Sequence, residues 1–211
     1  MVAYIEALIL YLVLFFPGAA GQVPVGEIVP FSAAGELVRI VLYNIPSLAL
    51  IWYLLLKSKS LKSWGIGPPG RKDLLPGLLA LPALILIGFI IAVVSPYLGG
   101  VPVPEIAPPS GIPAWIILAF SCVSTGYLEE SFFRFYLLSK RENFGLGASR
   151  TVLLSALLFS LCHLYEGPWG FLNAVLSGIV LAFVFLRYRS FHGIALAHGL
   201  YNIFVYVLGA L

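Results

Sequence analysis

Charge is what this sequence has least of. Only 10% of its 211 residues are Asp, Glu, Lys or Arg, while 61% are hydrophobic and the mean hydropathy is +1.02. A soluble domain carries about a quarter charged residues. Twelve basic and nine acidic side chains cannot cover a water-soluble globule of this length. Disorder is excluded too, because it requires low hydrophobicity and high net charge. Cysteine is scarce: Cys122 and Cys162 lie in apolar runs and form neither a CxxC pair nor a disulfide framework. Asp73 is the sole aspartate, so no pair of membrane aspartates exists for aspartyl chemistry. The zinc-peptidase pattern HExxH is missing. No Lys or Arg precedes the first apolar run, which argues for a retained first helix over a secretory signal. A basic stripe is missing as well. The net charge of +3 is spread over short loops, which argues against nucleic acid as a partner.

What is present is a series of apolar runs, at about 2–18, 37–56, 74–95, 113–138, 151–165, 168–187 and 191–210. Each approaches the ~20 residues of a spanning helix. The fold class expected is all-α: a polytopic transmembrane helical bundle, one domain over 1–211. Pro17, Pro96, Pro168 and the proline-rich stretch from Val101 to Pro113 punctuate the runs. Pro46 and Pro82 fall inside runs, which membrane helices tolerate as kinks. Ten of the twelve basic residues lie after the second, fourth and sixth runs, while Glu27, Glu36, Glu105 and Glu166 lie on the opposite side. The positive-inside rule then puts the N-terminus and the basic loops in the cytoplasm and the C-terminus outside.

Ionisable residues in a membrane helix are costly and are functional candidates by default. The fourth run carries Glu129 and Glu130 side by side, with Arg134 four residues on, the favourable order for a helical ion pair. Pairing Glu130 with Arg134 leaves Glu129, about 100° round the helix, without a partner on its own helix. Ser121, Ser124, Thr125 and Gly126 are small enough for another helix to come close. The fifth run carries Phe159 and His163 on one face, with Ser155 a turn earlier. The seventh carries His198 and Asn202, also four apart. Asn173 and Ser177 on the sixth read as interhelical hydrogen-bonding residues. At 1.5 Å per residue from the basic side, Glu129, His163, His198 and Asn202 lie roughly 15, 18–20, 10 and 16 Å deep, which is one layer.

A carboxylate, two imidazoles and an amide at one depth can hydrolyse an amide bond. Glu129 takes a proton from water, His163 orients that water, and His198 with Asn202 holds the oxyanion. Two alternatives stay open at this point. Glu129, His163 and His198 also form a possible two-His-one-carboxylate zinc set. Buried Glu and His also serve non-enzymatic immunity, scaffold or proton-coupled transport proteins. A Ser177–His198 dyad lacks the first glycine of GxSG, and Cys162 faces away from its neighbour His163.

In order along the chain, Glu129-Glu130-x-x-x-Arg134, Phe159-x-x-x-His163 and His198-x-x-x-Asn202 resemble the EExxxR, FxxxH and HxxxN motifs of the CAAX protease and bacteriocin-processing (CPBP, or ABI) family. These are intramembrane glutamic endopeptidases, among them the type II CAAX prenyl endopeptidases. The resemblance covers about 112–209, the motif-bearing core. It implies Glu129 as catalytic base, His163 as its water partner, and His198 and Asn202 as the oxyanion site. Glu130, Arg134 and Phe159 are then supporting residues. It implies no metal and no cofactor, a membrane-anchored or lipidated protein as substrate, and a prokaryotic cytoplasmic membrane as its setting. Family cores have about eight helices, so 18–36 or 96–112 is expected to hide a short or re-entrant one.

Overall fold

The structure is a computed structural model that describes residues 2–16, 30–58, 66–99 and 107–209. Pro17, Glu27, Lys59, Lys62 and Glu105 lie outside the described residues, as do 18–29 and 100–106 of the two stretches expected to hide an eighth helix. Among the described residues there is no strand, and seven helical rods follow the seven apolar runs. They are α1 (Val2–Leu14), α2 (Ala33–Arg39, Ile40–Asn44 and Ile45–Ser58), α3 (Leu74–Val94), α4 (Ile112–Glu130, Ser131–Tyr136 and Leu137–Ser139), α5 (Ala148–Leu161), α6 (Gly167–Tyr188) and α7 (Phe191–Gly209). Five stretches are long and apolar enough to cross a membrane: Ala33–Lys57, Arg71–Leu98, Ile112–Ser139, Leu164–Tyr188 and Phe191–Leu208. Tyr4–Leu14 and Ala148–Leu161 are shorter apolar helices. Together they make a helical membrane bundle.

The rods start and stop where the chain chemistry dictates. Pro113 and Pro168 sit in the first turns of α4 and α6, where a missing N–H removes no bond. Asp73 is buried at the start of α3. It accepts from Gly70 N at 2.9 Å and from Ser190 Oγ at 2.6 Å, tying that end to the start of α7. The lone aspartate is therefore a structural tie, in keeping with the absence of an aspartyl site.

Two rods contain a π-turn, which proline patterns alone do not announce. In α2, Pro46 cannot donate to the carbonyl four residues back, and its ring crowds that carbonyl. The helix widens over Ile40–Asn44, and Ile45 N donates to Ile40 O instead. In α4 the π-turn spans Ser131–Tyr136, directly after the two glutamates, with no proline involved. Side chains hold it: Ser155 Oγ of α5 donates to Phe133 O at 2.6 Å, and Trp52 Nε1 of α2 donates to Ser131 Oγ at 2.9 Å. Single π-turns inside helices concentrate at functional sites.

Packing follows the small residues. α7 lies against α4 and α3, α6 against α5 and α3, and α2 against α4. The α4–α7 contact is close enough to bring backbone against backbone. A Cβ on Gly126 would meet Ala195 O at 2.7 Å and Gly199 N at 2.8 Å, and a Cβ on Gly199 would meet Val123 Cα at 2.8 Å. Backbone faces backbone there, so nothing flexible can give way. The start of α1 reaches the far end of α4, where Tyr4 donates to Phe144 O and Glu6 pairs with Lys140 at 2.9 Å.

Gly126→Ala should accordingly lose about 1–3 kcal/mol of stability, the usual range for overpacking. Gly147→Ala, where a Cβ meets nothing within 4 Å, should stay within about 0.5 kcal/mol of the parent. Thermal unfolding of the two variants in detergent reads the difference.

Candidate active site

Glu129 and Glu130 are neighbours in sequence with different surroundings. The Glu130 side chain is fully buried; that of Glu129 keeps 15% of its surface open. Glu130 Oε1 accepts from Arg134 Nη1 at 2.9 Å, the pair that the spacing predicts, and Arg134 is itself fully buried. His198 Nδ1 lies 2.8 Å from the same Glu130 oxygen. Its other nitrogen, Nε2, lies 3.5 Å from Glu129 Oε2. The partner that α4 does not offer Glu129 thus comes from α7, and one imidazole spans both carboxylates.

The geometry fixes the hydrogen-bonding roles of His198. Glu130 in its ion pair with Arg134 is an acceptor, so His198 Nδ1 donates to it. In the neutral ring Nε2 is then an acceptor, and it becomes a donor only when the ring takes a second proton. The tautomer is set by Glu130, a buried group that touches no solvent.

Phe159 of α5 packs this cluster from the side. Its ring lies 4.5 Å from the Arg134 guanidinium carbon, edge-on to His198 at 5.7 Å and edge-on to His163 at 4.8 Å. A desolvated guanidinium over an aromatic face gains up to about 2 kcal/mol, which eases the burial of Arg134.

His163 differs from its sequence expectation. The spacing predicts it within the fifth helix, but α5 ends at Leu161, Cys162 caps it, and His163 sits in the following turn at φ −109°, ψ 13°. It stays against Phe159 because the turn folds back at once. Its Nδ1 lies 2.9 Å from Glu166 Oε1, while its Nε2 is buried with no hydrogen-bond partner among the described residues. Glu166, which the sequence reading left on an opposite loop, is the residue that reasoning missed. An i, i+3 acid after a histidine was the available signal.

Asn202 lies one turn beyond His198 on α7, half-buried, and makes no hydrogen bond among the described residues. Asn173 Nδ2 donates to Tyr201 Oη of α7 at 3.3 Å, the interhelical role expected of it. Ser177 Oγ is buried without a partner among the described residues. The third histidine, His192, bridges Tyr127 Oη and Gly67 O at 3.1 Å each and is structural. Neither cysteine is in a disulfide, and Cys162 Sγ faces Leu158 O and Tyr11 Oη. No group of three His, Cys, Asp or Glu among the described residues is arranged to hold a metal ion.

Removing one member of the buried ion pair strands a charge. Arg134→Leu should cost about 3–5 kcal/mol, and the double variant Glu130→Leu/Arg134→Leu markedly less. Denaturation in mixed micelles compares the two.

Residues 111–204 match the family model of the type II CAAX prenyl endopeptidases, described as Rce1-like. No curated protein and no solved structure matches the chain. The matched stretch runs from the first turn of α4 into α7 and contains all three motifs. With the geometry above, the match supports the family that those motifs resemble: over 111–204 the chain is similar to the type II CAAX prenyl endopeptidases, which supports a membrane-embedded protease.

Proposed function

We propose that the protein is an intramembrane glutamic endopeptidase that hydrolyses a peptide bond of a membrane-anchored or lipidated protein, with Glu129 as general base. The observation that carries this reading is the division of labour between two adjacent carboxylates. Glu130 is sealed and neutralised by Arg134, while Glu129 is partly open and faces an imidazole. Environments that push neighbouring carboxylates apart are how a protein separates an acid–base group from a structural one.

In this reading a water lies between Glu129 and His163 Nε2. Glu129 takes one of its protons as the water oxygen bonds to the scissile carbonyl carbon. His163 Nε2, buried and unpartnered, accepts a hydrogen bond from the second proton and fixes the attack direction. The carbonyl oxygen becomes an oxyanion held by Asn202 and by His198 Nε2 in its protonated form. Collapse breaks the C–N bond, and the Glu129 carboxyl returns its proton to the leaving amine. No step requires a metal. The single domain's catalytic core is 112–209, and α1 to α3 cover and anchor it.

Cleavage of a quenched prenylated CAAX peptide by purified protein in detergent is the test. Glu129→Gln and His163→Ala should each lower kcat by at least about 100-fold with unfolding midpoints retained. Asn202→Ala should lower it about 100-fold, and chelator should leave the parent unaffected. Full activity of both Glu129→Gln and His163→Ala overturns the mechanism, and inhibition by chelator with stoichiometric zinc replaces it by the metal reading. Wild-type protein that cleaves sorting tails or leader peptides instead moves the substrate class and leaves the Glu129 assignment to its variant.

For orientation, the basic side of the bundle is taken as cytoplasmic and the membrane as a prokaryotic cytoplasmic one. Lys57, Arg71, Lys140, Arg150 and Arg187 lie at or near rod ends in the connections after the second, fourth and sixth rods, the basic excess from which this orientation is argued. A reporter fused after the C-terminus should be active outside the cytoplasm. Activity only inside reverses the orientation.

A further inference from the structure

We propose that Glu166 is a positioning residue for His163, and that Gly170 is the clearance that lets it act. The proposal rests on the reading of His163 as the water partner of Glu129. Neither Glu166 nor Gly170 belongs to any of the three motifs.

The local fold builds this pair. After α5 ends, Glu166 N donates to His163 O at 3.0 Å, closing a tight turn over Leu164–Glu166. That turn turns the two side chains, three residues apart, toward one another, and His163 Nδ1 meets Glu166 Oε1 at 2.9 Å. Gly167 follows at φ +75°, a conformation that suits glycine, and sends the chain into α6. The Glu166 side chain then folds back along the first turn of α6, over Gly170. A Cβ at position 170 would lie 2.1 Å from Glu166 Cβ and 2.7 Å from its Oε2. No side chain fits there while Glu166 keeps its place. The Tyr165 ring stacks on His163 at 6.1 Å.

The consequence is chemical. An imidazole with both nitrogens free exchanges tautomers and flips. With Nδ1–H given to a carboxylate, Nε2 carries the lone pair and points in one direction. That nitrogen is buried and unpartnered among the described residues, so it is free for a hydrogen bond that water would supply. Carboxylates that orient histidines in this way sharpen both direction and basicity.

Two readouts test this. Only three histidines exist in the chain, His163, His192 and His198, so 15N-histidine spectra in micelles are assignable by single substitutions. The His163 Nδ1–H signal should be present in the parent, lost in Glu166→Ala and retained in Glu166→Gln, whose amide oxygen still accepts. Gly170→Val should lose it without touching the carboxylate itself. In the cleavage assay, Glu166→Ala should lower kcat about 10–100-fold with KM within twofold, the size of effect known for carboxylates that orient ligand histidines. Glu166→Gln should recover most of that loss, and Glu166→Ala should have no further effect in a His163→Ala background. A His163 Nδ1 signal unchanged in Glu166→Ala overturns the proposal, as does a loss confined to KM. If Glu129→Gln is fully active, the glutamic mechanism fails, while the spectra still decide the Glu166–His163 pair.

Discussion

A charged pair with no access to water is the constraint on which this bundle turns. Arg134 and Glu130 are both fully buried, and leaving water is expensive for each. Their attraction repays that only with further partners. The structure provides them from three helices. Glu130 and Arg134 come from α4, the His198 imidazole from α7, and the Phe159 face from α5. The three motif-bearing helices are thus held by one buried network. Gly126 and Gly199 permit the approach, since without their bare backbones α7 could not bring His198 within hydrogen-bond range of α4.

The N-terminal half contributes a cover for the same face of α4. Ser121, Thr125 and Glu129 are spaced four apart and form one ridge. Arg39 of α2 donates to Thr125 Oγ1 at 3.1 Å and to Ser121 Oγ at 2.5 Å, while Glu36 binds its guanidinium at 2.6 Å and accepts from Ser121 as well. Asn44, in the π-turn of α2, donates to Ser124 Oγ at 2.7 Å. Because Glu36 neutralises Arg39, α2 seals the ridge above Glu129 without delivering a net positive charge to it.

How much of this was legible in the sequence depends on which force sets each feature. The seven rods were legible because hydropathy over ~20 residues is a local property. The Glu130–Arg134 pair was legible because helical spacing alone places it. The π-turn at Ser131–Tyr136 was not, since it depends on Ser155 and Trp52 reaching in from other helices. The end of α5 before His163 was misread because the apolar run continues past Leu161, and hydropathy does not register a turn made of apolar residues. The Arg39 network was invisible for a related reason. Serine and threonine in a membrane helix signal close packing, but not which partner arrives.

Helix geometry also explains why two adjacent glutamates can have opposite fates. On a straight α-helix neighbouring side chains diverge by about 100°, so Glu129 and Glu130 face different partners from the start. The wider turn that follows, Ser131–Tyr136, contains Arg134, and the Ser155 bond to Phe133 O braces it. Glu130 becomes fixed, and through His198 Nδ1 it fixes the ring whose other nitrogen faces Glu129. His163 is constrained from the other side by Glu166. Each of the two imidazoles therefore has its Nδ1 tied to a carboxylate, while His198 Nε2 faces Glu129 and His163 Nε2 is buried without a partner among the described residues. In the proposed mechanism Glu129 is the one carboxylate of the four-residue set, and its side chain, 15% exposed, is more open than that of Glu130.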